Sequence, residues 1–293
     1  MKSACLILFV SLIFLSACGG GSGQPSSPTQ ASAYIQNKGS DTMVNLALAW
    51  AERYQSEHRD VSLSVTGGGS GTGIAALVNG TVDIANASRE MTADEIKQAE
   101  ANGITSVEFV VSRDAIAVIV NPENPVRQLT LQQISDIYSG KINNWTEVGG
   151  DDRPIVRLSR ETNSGTHVYF LETVLRLGDK TNPTLFSTDT LLLPSSEGII
   201  SEVRLNPNTI GYDGLGYVPP DLMNSVIAVA RDASGPYVIP SIATVNDNSY
   251  AVSRDLYMYT AGEPAGAIKD YINWILSPEA QVIVADLGFV PIK

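Results

Sequence analysis

Short runs of β-branched and apolar residues alternate with segments of helical periodicity along much of the chain. The first run, Tyr34-Ile35-Gln36, precedes an amphipathic segment from Met43 to Ser56. Two similar pairs follow: 61–65 with 74–79, and 82–85 with 92–101. Strands that alternate with helices at this spacing are typical of α/β folds with parallel strands. The pattern therefore predicts an α/β protein.

Two longer strand-like stretches suggest a division into two lobes. Residues 107–120 and 250–260 are each long enough to cross from one lobe to the other, and they enclose a middle segment of mixed strands and helices. A last helix is predicted over 265–276, before Pro278. We expect lobe one to comprise residues 33–118 and 253–293, lobe two to comprise 119–252, and a ligand cleft to lie between them.

The N-terminus has the pattern of an export signal. Lys2 precedes an apolar run from Ala4 to Ala17, which is too short to span a bilayer comfortably. The run ends in Leu15-Ser16-Ala17-Cys18, which resembles the lipobox of bacterial lipoproteins. We therefore predict a signal peptide over 1–17 and acylation of Cys18; ordinary secretory cleavage is the alternative. Residues 18–32 are rich in Gly, Ser, Pro, Gln and Thr, and are predicted to form a lipidated, flexible tether.

Composition narrows the possible functions. The second cysteine, Cys5, lies in the predicted signal peptide, so the mature chain would have no disulfide and no cysteine metal site. The formal net charge is −12, and loss of Lys2 would make it −13, which argues against nucleic acid as a partner. His58 and His167 have no neighbours at metal-ligand or catalytic-triad spacing and are expected to be structural or exposed. The sequence predicts no cofactor, no metal ion and no catalytic residue.

Four polar segments, each just before a predicted helix, carry the candidate chemistry. They contain hydroxyl residues, glycines and two arginines, which are groups that donate hydrogen bonds to an anion at a positive helix end. The segments are Gly39-Ser40-Asp41-Thr42, the run Gly67 to Gly73, Ser88-Arg89, and Arg160 to Thr166. Each segment alone has a simpler interpretation: helix capping for the first, with Ser40 or Asp41 as the N-cap, a flexible linker for the glycine run, an exposed Arg89 paired with a neighbouring acid for the third, and a capped turn for the fourth. Together they indicate a cleft that holds an anion.

The glycine run also admits an enzymatic interpretation. Gly71 to Ala76 fits G-x-G-x-x-A, a weak form of the dinucleotide-binding fingerprint. The next strand, however, runs into Asn86-Ala87-Ser88-Arg89 rather than ending in a ribose-binding acid. The run is not followed by Gly-Lys-Ser/Thr, as a phosphate-binding P-loop would be, and the chain has no G-x-S-x-G nucleophile elbow.

The chain resembles the phosphate-binding proteins of bacterial ABC-type phosphate importers. The resemblance lies in the four polar segments, the passage at 129–150, and the later motifs Ser253-Arg254 and Gly288-Phe289-Val290-Pro291. This family is a branch of the periplasmic binding proteins, so the resemblance implies their two-lobed type II fold. It also implies an extracytoplasmic receptor without enzymatic activity: a monomer that takes inorganic phosphate and delivers it to ABC permease subunits while a lipid anchor holds it at the membrane. The resemblance assigns ligand contacts to Ser40, Asp41, Thr42, Ser70, Gly71, Arg89, Arg160, Ser164, Gly165 and Thr166.

One departure from the family concerns phosphate selectivity. Some members carry an aspartate where this chain has Arg89, and that aspartate could accept the proton that distinguishes phosphate from sulfate. We expect Asp41 to take this role. A receptor for another oxyanion such as molybdate or sulfate, or a phosphate sensor without a transporter, is the alternative, and a secreted nucleotide-dependent enzyme is a third hypothesis.

Overall fold

The computed structural model describes residues 33–179 and 181–292. The predicted signal peptide (1–17), the tether (18–32) and Cys18 lie outside the described residues. The strands are β1 Ala33–Gly39, β2 Val61–Thr66, β3 Ile84–Ala87, β4 Ser106–Val120, β5 Gln128–Thr130, β6 Val156–Arg160, β7 Leu191–Leu193, β8 Thr209–Gly214, β9 Ala228–Ala230 and β10 Ser253–Ala261. The helices are α1 Val44–Glu57, α2 Ser70–Val78, α3 Ala93–Ala101, α4 Leu131–Tyr138, α5 Gly165–Phe170, α6 Ser196–Leu205, α7 Ile242–Asn246, α8 Gly266–Ile275 and α9 Pro278–Asp286.

An eight-stranded sheet runs through the molecule in the order β2-β1-β3-β10-β4-β8-β6-β7. At one end β1 pairs in parallel with β2 and β3, and at the other end β6 pairs in parallel with β7 and β8. Between them β10 is antiparallel to β3 and β4, and β4 is antiparallel to β8. The α/β class is confirmed, but the sheet is mixed rather than parallel, because the two central strands run against their neighbours.

Apolar residues gather into separate cores on the two sides of the sheet centre. On one side Trp50, Met258 and Tyr271 belong to a core built from the first and last parts of the chain. On the other side Leu158 and Tyr212 belong to a core built from the middle part. The fold is therefore two-lobed.

The long strand β4 belongs to both lobes. Its residue Val111 is buried in the first core, whereas its residues from Ala115 to Val120 are buried in the second. Strand β10 starts at Ser253, not at Tyr250 as the sequence pattern predicted. Tyr250 is instead a buried anchor, since its hydroxyl donates to the carbonyl of Ile116 at 2.6 Å.

Helix α2 begins inside the glycine run. Ser70 is its first residue, so Gly71, Thr72 and Gly73 are helical, and only Gly67 to Gly69 form the preceding turn. A Cβ at position 73 would collide with the carbonyl oxygen of Lys38, so the absence of a side chain lets α2 pack directly on β1. This close packing fixes the start of α2 at the end of β1. In the described part of the chain, no helix has both the length and the apolar character needed to cross a membrane.

Candidate functional site

The four polar segments predicted from the sequence meet at one place between the lobes. The hydroxyl oxygens of Thr42 and Thr166 are 2.8 Å apart although 124 residues separate them in the chain. The N–H of Gly71, in α2, donates to the carbonyl of Asn163, just before α5, at 3.3 Å. Two segments of lobe one therefore contact the start of α5 in lobe two.

Asp41 is bonded to both lobes. One carboxylate oxygen accepts from the backbone N–H of Gly68 at 2.8 Å, and the other accepts from Nη2 of Arg160 at 2.7 Å. Ser40 occupies the N-cap position of the short 3-10 helix Asp41–Met43, but its side chain makes no capping hydrogen bond. Neither residue thus acts as the side-chain cap that the sequence suggested. The Asp41 carboxylate instead accepts hydrogen bonds from Gly68 and Arg160, two residues of the predicted site.

Arg160 is the central cation of the site. It ends β6, and only 1% of its side chain is exposed. Besides Asp41, it donates to the hydroxyl of Ser196 at 2.9 Å and to the carbonyl of Pro194 at 3.0 Å. The carboxylate of Asp213, which is fully buried, lies 3.6 Å from Nη1. Burial raises the pKa of Asp213, and the positive charge of Arg160 opposes that rise.

The beginnings of α2 and α5 face each other across small side chains. The hydroxyl oxygens of Ser70 and Ser88 are 3.2 Å apart, and the Ser70 oxygen also accepts from the N–H of Ser88 at 3.0 Å. A Cβ at Gly165 would collide with both hydroxyls, so this approach requires glycine at that position. Ser164 caps α5 by accepting from the N–H of Thr166 at 3.2 Å. The site therefore concentrates hydroxyl and N–H groups at two helix starts.

Arg89 lies at the margin of this cluster. Its two terminal nitrogens donate to the two carboxylate oxygens of Glu95, each at 2.8 Å, and Nη1 also donates to the carbonyl of Glu90. Glu95 forms a capping box with Thr92 at the start of α3. Arg89 is close to Gly71, and its charge is already paired within lobe one.

A cavity of about 610 Å³ adjoins the cluster on the side of Arg89. Its lining includes Arg89, Tyr169, Arg176, Arg254 and Tyr257. The side chains of Ser70, Arg160, Ser164 and Thr166 do not line it and are almost completely buried. The polar segments therefore pack against one another, and the cavity lies beside them.

Sequence reasoning missed a buried ion pair at the centre of the site. Arg254 donates through Nη2 to the carboxylate of Asp114 at 3.1 Å and to the hydroxyl of Thr166 at 2.9 Å, with the Thr42 hydroxyl at 3.4 Å. Burial raises the pKa of Asp114 to about 6, although Arg254 acts in the opposite direction. A signal was present in the sequence, since Asp114 directly precedes the apolar run Ala115 to Val120 of β4, and charged residues are seldom fully buried without a partner.

The two histidines have structural surroundings. His58 stacks on Tyr54 with ring centroids 4.0 Å apart. His167 is buried, its Nδ1 lies 3.0 Å from the Ser159 hydroxyl, and burial lowers its pKa. Among residues 33–179 and 181–292, no group of three or more His, Cys, Asp or Glu side chains is arranged to hold a metal ion. The arrangement offers donors to an anion.

Two lobes that meet at the polar N-termini of helices form the architecture of a binding protein. The family model for the PBP superfamily domain matches residues 24–279. The chain therefore belongs to the PBP superfamily.

Named relatives lie within its phosphate-binding branch. The phosphate-binding protein PstS of Bacillus subtilis is 29% identical over 300 residues, which cover 99% of this chain and 94% of the relative. A crystal structure from Clostridium perfringens, provisionally described as a phosphate ABC transporter substrate-binding protein with bound phosphate, is 34% identical to this chain, with a TM-score of 0.77. It covers 89% of this chain and 100% of its own. An ABC-type phosphate transport receptor from Vibrio cholerae is 28% identical with a TM-score of 0.69, over 87% of this chain and 99% of its own. The predicted family and its two-lobed fold are confirmed.

Proposed function

We propose that this chain is an extracytoplasmic receptor that binds one inorganic phosphate between its lobes and delivers it to an ABC importer without transforming it. The observation that carries the proposal is the contact between Arg160 of lobe two and Asp41 of lobe one at 2.7 Å. A buried guanidinium that already holds a carboxylate oxygen between the lobes is placed to hold a phosphate oxygen instead. Relatives described as phosphate-binding or phosphate transport proteins support the choice of ligand.

The donors around Arg160 suit a tetrahedral oxyanion. The hydroxyls of Thr42, Ser70, Ser164 and Thr166 come from both lobes, and all four side chains are buried. The backbone N–H groups at the starts of α2 and α5 add donors at positive helix ends. We propose that these groups, with Ser40, Asp41, Gly71, Arg89, Arg160 and Gly165, form the phosphate site. While paired with Glu95, Arg89 would still offer the ligand the second hydrogen of Nη2 and its buried Nε–H, which has no partner among the described residues.

Asp41 gives the site a means of selecting phosphate over sulfate. Phosphate near neutral pH carries at least one proton and can donate it to a carboxylate, whereas sulfate has none to donate. Phosphate would replace Asp41 on Arg160 in part and would donate its proton to the same carboxylate. Sulfate would face Asp41 as one negative charge against another, which is unfavourable in a poorly solvated cleft.

We also propose boundaries for the two lobes and a lipid anchor that attaches the protein to the membrane. Lobe one would comprise 33–118 and 253–293 and lobe two 119–252, although Ala115 to Val118 on β4 already pack in the core of lobe two. Acylated Cys18 would attach the protein to the membrane, and residues 18–32 would tether a monomeric receptor near its permease.

Isothermal titration calorimetry of the fragment 33–293 tests the function. The fragment is titrated at one pH and ionic strength with phosphate, sulfate, molybdate and a nicotinamide cofactor. One equivalent of phosphate bound far more tightly than the other three ligands supports the proposal. Tighter binding of sulfate or molybdate would make the chain a receptor for that oxyanion, and binding of the cofactor alone would indicate the enzymatic alternative.

A further inference from the structure

Arg254 and Asp114 face each other where the chain passes between the lobes. They are directly paired residues in the antiparallel register of β10 and β4. On β4, Asp114 lies between Val111, in the core of lobe one, and Ala115, in the core of lobe two. Only 3% of the Arg254 side chain and none of the Asp114 side chain are exposed. Removing a charged pair from water is energetically costly, so the contacts that this pair makes indicate what it does in the protein.

The Arg254 guanidinium touches a hydroxyl from each lobe. Its Nη2 is 2.9 Å from the Thr166 oxygen at the start of α5 and 3.4 Å from the Thr42 oxygen in the 3-10 helix. These two oxygens are 2.8 Å apart. Arginine can only donate hydrogen bonds, so both threonine oxygens act as acceptors toward it.

The hydroxyl hydrogens of Thr42 and Thr166 determine which hydrogen bond is left for a ligand. Each hydroxyl has one hydrogen to donate and two acceptor positions. When Thr42 donates to Thr166, the Thr166 oxygen accepts from Thr42 and from Arg254, and both of its acceptor positions are filled. Its own hydrogen must then point to a third group. An unprotonated oxygen of an anion, placed beside the start of α5, accepts that hydrogen.

Asp114 keeps the guanidinium in this orientation. Its carboxylate accepts from the same Nη2 at 3.1 Å, so the nitrogen is fixed between the carboxylate and the threonines. Because the two charges cancel, the pair orients the hydroxyls without adding a net charge to the site. Asp213 and Arg160 are the other buried charges of the site, and neither of them bonds to Thr166 among the described contacts.

We propose that Arg254, held by Asp114, is a positioning residue for anion recognition: it fills one acceptor position of the Thr166 hydroxyl, Thr42 fills the other, and the Thr166 hydrogen is thereby turned toward the bound phosphate. The inference rests on the proposed function, since it takes phosphate as the ligand. Arg254 itself acts through Thr166 and is not assigned a ligand contact.

A double-mutant cycle with calorimetric phosphate titration tests the proposal. One arm is the neutral replacement Asp114→Asn with Arg254→Met, which removes both charges together and leaves no carboxylate stranded. The other arm is Thr166→Val, which removes the hydroxyl at nearly constant shape. We expect the neutral replacement to weaken phosphate binding by roughly 10- to 100-fold when Thr166 is present, the range of a charge-assisted hydrogen bond. With Thr166→Val already in place, the same replacement should weaken binding by no more than about threefold, since coupled residues are non-additive.

The control is Arg113→Met, one residue before Asp114 on β4. The Arg113 side chain is partly exposed and pairs with Asp255 at 3.5 Å, so its loss should leave phosphate affinity within about twofold, as surface pairs contribute little. If the neutral replacement unfolds the protein, Arg254→Lys enters the same cycle, because it keeps the charge and loses the planar fork.

Equal weakening with and without the Thr166 hydroxyl would assign Arg254 a merely structural role and overturn the inference. Unchanged affinity in the neutral replacement would overturn it as well. A wild-type chain that binds no phosphate would instead refute the proposed function, and with it the premise of this inference, so the two failures are distinguishable.

Discussion

Substitution Asp41→Asn probes the selectivity of the site most sharply. The amide keeps the size of the side chain and an oxygen that can accept from the N–H of Gly68, which now bonds to the carboxylate at 2.8 Å. It removes the negative charge that lies 2.7 Å from Arg160. The change therefore tests the charge of Asp41 while largely preserving its geometry.

The expected magnitude follows from the position of Asp41. Two unit charges about 4 Å apart interact by about 4 kcal/mol at the effective dielectric constant of partly buried sites. Because 21% of the Asp41 side chain is exposed, solvent screens part of this repulsion, and we expect about 2 to 3 kcal/mol for sulfate. That corresponds to a gain in sulfate affinity of roughly 30- to 150-fold. For phosphate the substitution removes a charge repulsion, which raises affinity, and the charged acceptor of its proton, which lowers affinity. Phosphate affinity should therefore change by less than about tenfold.

The assay is a pair of calorimetric titrations, phosphate and sulfate, on wild type and variant at one pH and ionic strength. Asp94→Asn is the matched control, since its side chain is 95% exposed and its loss changes the net charge by the same amount. Sulfate affinity that stays at the wild-type level in Asp41→Asn, with phosphate affinity retained, would refute the assignment of selectivity to Asp41.

Further predictions concern the cation, the glycine contact, the buried carboxylate and the anchor. Arg160→Ala should weaken phosphate binding by about 1.5 to 3 kcal/mol, against about 1 for Ser70→Ala, and exposed Arg204→Ala should have no effect; equal small losses in calorimetry would place Arg160 outside the site. Gly165→Ala should abolish tight phosphate binding, because its Cβ collides with the hydroxyls of Ser70 and Ser88, and unchanged affinity would mean that the helix starts separate in the bound state. The pKa of Asp114, raised in the folded state from 3.8 to about 6, lowers stability as pH rises from 4 to 7, by up to about 3 kcal/mol. Urea unfolding of wild type and Asp114→Asn should show that difference, and parallel pH profiles would contradict it. Cys18→Ser should release the protein from membranes in fractionation, because acyl chains supply the affinity; continued membrane association would contradict the anchor.

Local sequence patterns were sufficient for much of the fold. The periodicity of 43–56 and 92–101 predicted α1 and α3 within one or two residues, because amphipathic periodicity is a local signal, and in α3 the capping box of Thr92 and Glu95 also marks the start. The direction of β10 could not be predicted in the same way. Its antiparallel pairing with β3 and β4 depends on which lobe the chain returns to, and no local pattern encodes that choice.

The candidate site was predictable in its segments but not in its pairings. Glycines and hydroxyls before helices marked the starts of α2 and α5, because helix N-termini have recognisable residue preferences. The bond between Asp41 and Arg160 joins residues 119 positions apart, and only the folded chain shows it. Arg254 was noted as part of a family motif, but its contact with Asp114 depends on strand register. Non-local contacts of this kind carry the electrostatics of the site.

A structure of the fragment 33–293 crystallised with phosphate would show whether the ligand binds between the lobes. We predict one phosphate between the lobes, bonded to the Arg160 guanidinium and to the hydroxyls of Ser70, Ser164 and Thr166, with the Thr42 hydroxyl bonded to Thr166 and Asp41 within hydrogen-bonding distance of a phosphate oxygen. Phosphate bound instead only in the neighbouring cavity beside Arg89 and Tyr169, with Asp41 still on Arg160, would contradict it.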